Sequence, residues 1–193
     1  LEDWAANVSS NAKLLADAFW PGPLTLLLER SASVSPAVTG GRSTVGLRVP
    51  DHPVALELLR SFGGGIAGPS ANRFGRVSPT TAAHVIADLG DDVDVVLDGG
   101  PCRVGVESTI VDLTSDRPVV LRAGGVSVDR LEEVLGCSID IYASAEPSTG
   151  GARAPGMLEA HYAPNARVVL CAEHEIAEVL IEVLGSATGP VGL

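Results

Sequence analysis

The sequence predicts an α/β (α+β) fold in which helices flank a mixed sheet. Of the 193 residues, 46% are apolar and 19% are charged, a composition typical of a chain that folds around a core. Helix-like and strand-like segments follow one another without a strict strand–helix–strand period, which favours a mixed sheet over a purely parallel one. No apolar run reaches the roughly 18 residues of a membrane span, so no membrane segment is expected.

The first part of the chain is expected to form one helix and two strands. A helix is predicted over residues 11–20, because the Pro-Gly-Pro sequence at 21–23 ends it. The apolar run 24–28 predicts a short buried strand. A second strand is predicted at 44–49, where Pro50 closes it.

The middle of the chain is predicted to contain two helices and one strand. Asp51 is a suitable N-cap for a helix to about residue 60, and the Gly-rich residues 64–68 are expected to be extended. Ser78 is expected to cap a helix that begins at Pro79 and runs to about residue 89. The apolar residues 93–97 predict a strand that ends in a turn.

Two further strands, at 108–113 and 119–121, and a helix from Ser127 to about residue 135 complete the expected sheet domain. Residues 143–164 are rich in Pro, Gly and Ser and are predicted to be a linker or lid. A strand at 167–171, a helix at 173–184 and a further strand from Gly189 then follow.

The expected domain division follows from these changes in composition. Residues 1–142 are predicted to be a catalytic domain, residues 143–164 a linker or lid, and residues 165–193 the incomplete start of a second small α/β domain.

The charge pattern favours small anionic ligands over nucleic acid. The net charge is −11, and the basic residues are twelve Arg and the single Lys13. Proteins that bind nucleic acid through its phosphates usually have a basic surplus, so direct tRNA binding is not expected. Arginine offers a planar fork of donors suited to carboxylate and phosphate, so Arg side chains gathered in one cleft could hold an anionic small molecule.

The cysteines and histidines predict neither a metal site nor a disulfide framework. Cys102, Cys137 and Cys171 are odd in number, widely spaced and contain no C-x-x-C pair. The four His lack metal-ligand spacing. Free or buried thiols in a reducing cytoplasm are therefore expected.

The densest polar stretch is GPSANRFGRVSPTTAAHV at residues 68–85. Ser70, Asn72 and Ser78 could make ordinary turn hydrogen bonds or could hold a polyanion. Ser78 before Pro79 would also aim backbone N–H groups of a helix start at a bound anion. The stretch by itself leaves both interpretations open.

Three other segments favour the anion-binding interpretation. Arg48 is predicted within an apolar strand, where an unpaired charge is costly. Residues 107–112 open another strand with hydroxyl groups, and Arg122 ends a strand before Gly124 and Gly125, which permit close backbone approach. Together these polar groups are expected to converge from strand ends on one cleft.

These segments resemble the YrdC/Sua5 family. The matching stretches are PGPLT at 21–25, STVGLRVP at 43–50, residues 68–85, GVESTIVDL at 105–113 and LRAGGV at 121–126. The later APGMLEAHYAP at 154–164 resembles the linker of the longer Sua5 type. The resemblance implies a YrdC-like twisted mixed sheet with flanking helices, followed by the start of a small Sua5 domain.

The resemblance implies an L-threonylcarbamoyladenylate synthase, a nucleotidyltransferase. Such enzymes join L-threonine, bicarbonate and ATP into threonylcarbamoyl-AMP and pyrophosphate, and the product supplies the t6A37 modification of tRNA through a downstream transfer machinery. Mg²⁺ is expected to accompany ATP, held largely by phosphate oxygens.

The resemblance also implies roles for individual residues. Arg48 would pair with the threonine carboxylate, and Ser108 with the backbone of Gly68 would complete the threonine site, which makes Arg48 and Ser108 the expected catalytic residues. The implied ATP contacts are Thr44, Ser70, Asn72, Ser78, Arg122 and, from the lid beside His161, Tyr162.

Two departures from the family pattern limit the expected activity. Family members carry an upstream Lys-x-Arg motif, and Lys13, followed by Leu14 and Leu15, cannot be that motif. The Sua5 domain is also expected to be incomplete. In addition, residues 158–160 of the linker are Leu-Glu-Ala where many relatives are basic. This chain alone is therefore expected to be inactive or weak. An RNA-binding YrdC-like module and a non-catalytic nucleotide-binding remnant are the alternatives.

Overall fold

The computed structural model describes residues 1–142, Val169 and residues 171–186. The chain divides into two compact units, Leu1–Tyr162 and Ala163–Leu193. The finer division into a catalytic domain, a linker and a second domain stays a prediction.

The first unit contains a mixed sheet of five strands among the described residues. The strands are β1 (Leu24–Glu29), β2 (Thr44–Leu47), β3 (Thr109–Asp112), β4 (Val119–Arg122) and β5 (Asp140–Ile141), in the order β2-β1-β3-β4-β5. The pairs β1–β2 and β3–β4 are antiparallel, whereas β1–β3 and β4–β5 are parallel. The predicted α/β fold with a mixed sheet is confirmed.

The helices of the described residues are α1 (Ser10–Phe19), α2 (Pro53–Phe62), α3 (Ala82–Leu89), α4 (Val128–Leu135) and α5 (Ile176–Ser186). Three short 3₁₀ helices lie at Pro36–Thr39, Gly90–Asp92 and Glu173–Glu175. The side chains of Ser9 and Ser127 cap α1 and α4.

Two predicted helix starts are wrong. The N-cap of α2 is His52, whose Nδ1 accepts from the backbone N–H of Val54, and not Asp51. The N-cap of α3 is Thr81, which accepts from the N–H of His84, so the helix begins three residues after the expected Pro79. The side chain of Ser78 is therefore available for another contact.

The main core lies between one face of the sheet and the helices α1 and α4. Along β1, Leu24, Leu26 and Leu28 are buried against Leu15 of α1 and Leu131 of α4. Alternate residues of a strand point to opposite faces. A smaller apolar cluster of Leu27, Ile110 and Leu121 occupies the other face, which we call the open face.

No residue from 50 to 107 is buried. The predicted strand at 93–97 is wrong: these residues form no regular strand, and the side chains of Val95 and Leu97 are 74% and 58% exposed. A strand needs a neighbour to pair its backbone groups, and none of the described strands adjoins this segment.

The described part of the second unit is helical. The predicted helix at 173–184 corresponds to the 3₁₀ turn Glu173–Glu175 followed by α5. The strands predicted at 167–171 and from Gly189 lie wholly or mainly outside the described residues. Among the described helices, none combines the length and the apolar character needed to cross a membrane.

Candidate active site

Arg122, the last residue of β4, is fixed along two edges of its guanidinium. Its Nε and Nη2 donate to the carbonyl oxygen of Ser108 at 3.0 and 2.9 Å, and Nη2 also donates to Ser108 Oγ at 3.0 Å. On the other side, Nη1 lies 2.7 Å from Glu107 Oε2. The side chains of Arg122 and Glu107 are 15% and 24% exposed, so this charged pair is largely shielded from water.

Ser108 lies immediately before β3 and is buried. Its hydroxyl oxygen is 2.8 Å from Oγ1 of Thr25 on the neighbouring strand β1. Ser108 Oγ is thus held between a hydroxyl and a guanidinium, which fixes where it can offer a hydrogen bond to a ligand.

Glu107 connects this group to the polar stretch at 68–85. Its Oε1 accepts a hydrogen bond from the hydroxyl of Ser78 at 2.8 Å, while Oε2 pairs with Arg122. Ser78 Oγ is also 3.5 Å from Asn72 Oδ1, a long contact. Side chains from four separate segments therefore meet in one hydrogen-bonded cluster, which we call the polar cluster: Thr25, Ser78, Glu107, Ser108 and Arg122.

The register of the sheet places this cluster on the open face. Thr25 pairs with Ile110, and Ile110 pairs with Arg122, so the three residues form one row across β1, β3 and β4. The register of β3 and β4 shifts next to Ile110, which allows the adjacent Leu121 and Arg122 to lie on the same face. A Cβ added to Gly46 of β2 would point at Thr25 Cγ2 at 3.3 Å, which puts Gly46 on the same face. Thr44, two residues earlier on β2, faces the same way.

Gly124 allows the turn after β4 to lie against the backbone of the cluster. A Cβ at this position would be 2.3 Å from the carbonyl oxygen of Glu107 and 2.5 Å from Thr109 N. The N–H of Gly125 donates to the same carbonyl at 2.9 Å. The expected close backbone approach at this Gly pair is confirmed.

The segment 70–78 is clamped onto α3. The backbone N–H of Arg73 donates to Asp88 Oδ2 at 2.7 Å, and Arg76 Nη1 pairs with Asp88 Oδ1 at 2.6 Å. The amide of Asn72 donates to the carbonyl oxygens of Arg73 and Arg76 at 2.9 and 3.1 Å. Asn72 therefore closes this turn, which matches the turn interpretation of its role.

The inference that Arg48 is a buried charge is wrong. β2 ends at Leu47, so Arg48 lies just beyond an edge strand, where the chain leaves the sheet and its side chain is exposed. In the described part of the chain its guanidinium makes no ion pair or hydrogen bond. The guanidinium of Arg48 is therefore accessible from solvent, and it is not a buried charge that requires a partner.

The remaining predicted site residues are not joined to the polar cluster by a direct contact among the described residues. Ser70 and Gly68 lie in an exposed irregular segment. Thr44 shares the open face, but its side chain has no hydrogen bond to the cluster among the described residues. His161 and Tyr162, expected in the lid, lie outside the described residues.

Two members of the polar cluster, Thr25 and Glu107, were assigned no role from the sequence. Both occur in the quoted stretches PGPLT and GVESTIVDL, and a carboxylate beside hydroxyl residues at a strand start was the available signal. Among the described residues no three His, Cys, Asp or Glu side chains are grouped to hold a metal ion. Both carboxylate oxygens of Glu107 already have partners.

Two family models match the chain. The model for Sua5, YciO and YrdC proteins, described as telomere recombination, matches residues 1–124. A model described as the C-terminal domain of threonylcarbamoyl-AMP synthase matches residues 126–190.

Curated relatives are similar over most of the chain. A threonylcarbamoyl-AMP synthase of Pyrococcus abyssi is 45% identical over 171 residues, which cover 88% of this chain and 50% of the relative. A protein of the same name from Bacillus subtilis is 44% identical over 172 residues, covering 89% of this chain and 49% of the relative. The chain spans about half the length of these relatives.

Solved structures are similar as well. The crystal structure of P. abyssi Sua5 complexed with L-threonine superposes with a TM-score of 0.87 at 42% identity, covering 95% of this chain and 55% of that one. Escherichia coli YciO gives a TM-score of 0.58 at 27% identity, covering 67% of this chain and 63% of that one.

Proposed function

This chain belongs to the Sua5, YciO and YrdC family, and from that premise we propose that it carries the ATP and threonine sites of a threonylcarbamoyl-AMP synthase. Relatives of that name at 44–45% identity support an enzyme of this kind. The similar P. abyssi structure contains L-threonine, which supports threonine as the amino acid. The t6A37 pathway and a cytoplasmic site of action belong to the same proposal and rest on the family resemblance.

The proposed reaction has two steps that balance without a redox partner. The amine of L-threonine attacks the carbon of bicarbonate or CO₂, and a carbamate forms with net loss of water from bicarbonate. A carbamate oxygen then attacks the α-phosphorus of ATP, and the bond from that phosphorus to the β-bridging oxygen breaks. Pyrophosphate leaves, and threonylcarbamoyl-AMP remains. Positioning and charge stabilisation carry such phosphoryl-group chemistry.

The observation that supports this function best is the polar cluster itself. Ser78, Ser108 and Arg122 come from separate segments, yet each is within one hydrogen bond of Glu107 or of another member. We propose that Arg122 and Ser78 contact ATP and that Ser108 contacts threonine. A neutral hydroxyl and a fixed guanidinium are suitable partners for phosphate and carboxylate oxygens.

The other residues have roles that rest more on the resemblance. Arg48 is proposed to pair with the threonine carboxylate, for which its exposed fork is available. Thr44 is proposed as an ATP contact from the open face. Further ATP contacts are proposed for Ser70, Asn72 and Tyr162. A further threonine contact is proposed for the backbone of Gly68.

Mg²⁺ is proposed as the companion of ATP. Ser78 and Arg122 already engage the two carboxylate oxygens of Glu107, and we propose that the triphosphate oxygens hold the ion. When bound, the ion would neutralise part of the phosphate charge. The chain's own contribution is to place the hydroxyls and the guanidinium around the nucleotide.

Titration calorimetry with ATP and, separately, with L-threonine tests the proposal. Arg122→Ala is expected to weaken ATP binding by about tenfold or more, the usual value of a charge-assisted contact. Arg130→Ala is the matched control, because the side chain of Arg130 forms an exposed pair with Glu133 at 3.4 Å, away from the polar cluster. Pyrophosphate release with all three substrates then separates an enzyme from a nucleotide-binding remnant. Salt-dependent tRNA binding without ATP binding would favour the RNA-binding alternative.

A further inference from the structure

We propose that Glu107 is a positioning residue that aligns Ser78 and Arg122 for ATP. This inference rests on the proposed function, because it assumes that these two side chains contact the nucleotide. Glu107 itself acts through its two partners and is not assigned a contact with substrate.

The two carboxylate oxygens of Glu107 contact different parts of the chain. Oε1 accepts from Ser78 at 2.8 Å, in the segment clamped onto α3, and Oε2 pairs with Arg122 Nη1 at 2.7 Å, at the end of β4. The side chain of Glu107 thus contacts both the 68–85 segment and β4. Glu107 therefore sets the distance between the hydroxyl and the guanidinium.

The position of Arg122 depends on this contact along one edge. Its Nε and Nη2 are held by Ser108, which fixes one side of the planar group. The ion pair with Glu107 holds the Nη1 side. A guanidinium fixed at both edges loses little conformational freedom when a phosphate binds, and this preorganisation increases affinity.

The negative charge of Glu107 does not favour the binding of ATP, which is also negatively charged. A carboxylate beside a triphosphate repels it, and the repulsion grows as the site is shielded from water. The pairing with Arg122 cancels that charge locally. A carboxylate at this place is therefore explained by its two acceptor oxygens, which a neutral side chain of the same size does not provide.

The Glu107→Gln substitution tests this directly. Glutamine has the same shape but carries no charge and only one acceptor oxygen. Its NH₂ group would either face the donors of Arg122 or donate to the Ser78 hydroxyl, and in both cases the ion pair with Arg122 is lost. We expect ATP affinity to fall about tenfold. Threonine affinity should stay within about twofold, because Thr25 still holds the hydroxyl of Ser108. The carbonyl of Ser108 also still holds one edge of Arg122. Glu57→Gln is the control, since Glu57 pairs with Arg60 at 3.4 Å on the exposed face of α2.

A double-mutant cycle with Ser78→Ala identifies the path of the effect. If Glu107 acts partly through Ser78, the loss of ATP affinity in the double variant is smaller than the combined losses of the two single variants. Full additivity of the two losses in this cycle, or an ATP affinity that is unchanged or higher in Glu107→Gln, would overturn the inference. Parallel loss of ATP affinity, threonine affinity and thermal stability would assign Glu107 a structural role only, and would also overturn it.

A second readout does not depend on nucleotide binding. The Nη1–H protons of Arg122, which face Glu107, are observed by NMR in the ligand-free chain and are expected to exchange with water at least severalfold faster in Glu107→Gln than in the wild type. If the wild type binds no ATP, the proposed function fails while this exchange still tests Glu107. An unchanged exchange rate would contradict the positioning role on its own.

Discussion

The hydroxyl oxygens of Thr25 and Ser108 lie 2.8 Å apart across the parallel strands β1 and β3. The contact joins the strand that follows the Pro-Gly-Pro turn to the segment that carries Glu107. It thus connects the interior of the sheet to the proposed threonine site.

Thr25→Val removes this hydroxyl and nearly preserves the side-chain shape. Ser108 then loses one of its partners, and we expect threonine affinity to fall about fivefold and the free energy of unfolding to fall by about 1 kcal/mol. Thr114→Val is the control, because it removes a hydroxyl bonded to Asp112 Oδ1 at the other end of β3. Equal effects of the two variants on threonine binding, measured by calorimetry, would contradict the role of Thr25.

Ser78 and Thr81 are expected to have separable roles. Thr81 caps α3, so Thr81→Ala should lower the free energy of unfolding by about 1 kcal/mol with little change in ATP affinity. Ser78 bonds to Glu107, so Ser78→Ala should lower ATP affinity by several-fold with a smaller change in stability. Chemical denaturation and calorimetry on both variants check this; a reversed pattern would return the capping role to Ser78.

Gly124→Ala is expected to disturb the polar cluster by displacing the backbone that carries Glu107 and Ser108. The new Cβ would lie 2.3–2.5 Å from backbone atoms of Glu107, Ser108 and Thr109, which must shift. We expect a loss of about 1–3 kcal/mol in stability, together with weaker binding of both ligands. Gly105→Ala adds the same methyl group where no atom lies within 4 Å, and it should change little in thermal unfolding.

The two acceptor oxygens of Asp88 are expected to hold segment 70–78 in place. Asp88→Ala removes the hydrogen-bond partner of the Arg73 backbone N–H and the ion-pair partner of the Arg76 guanidinium. The side chain of Asp88 is only 13% exposed, so both contacts are shielded from water. Limited trypsin digestion should then cut after Arg73 and Arg76 at least several-fold faster, because opening of the segment becomes easier. Asp94→Ala, at an exposed position, serves as the control. Unchanged cleavage would show that other contacts hold the segment.

The sequence predicted the sheet better than it predicted the region between residues 50 and 107. The strands near 24–28 and 119–121 are apolar on the buried face, and that pattern is local. A strand at 93–97 requires a neighbouring strand, and periodicity within the segment cannot supply one. Thr81 and Ser78 are both suitable caps by type, so only the backbone geometry decides between them.

The residues of the candidate site were likewise predicted where the signal was local and missed where it depended on distant partners. Ser78, Ser108 and Arg122 were predicted, and the structure brings them together. Glu107 was missed because its role depends on two partners that are 29 and 15 residues away in the sequence. Arg48 was expected to be buried on the assumption that its strand continued to residue 49, but β2 ends at Leu47.

The most direct test of the central claim is the change in backbone amide NMR signals when ATP is added to the chain. The proposed site predicts that the largest shifts occur at Ser78, Glu107, Ser108 and Arg122, and that Arg122→Ala strongly reduces them at an ATP concentration near the dissociation constant of the wild type. The claim would be contradicted if these four residues showed no shifts. It would also be contradicted if the shifts were concentrated around His52 and Gly99, which contact each other outside the polar cluster.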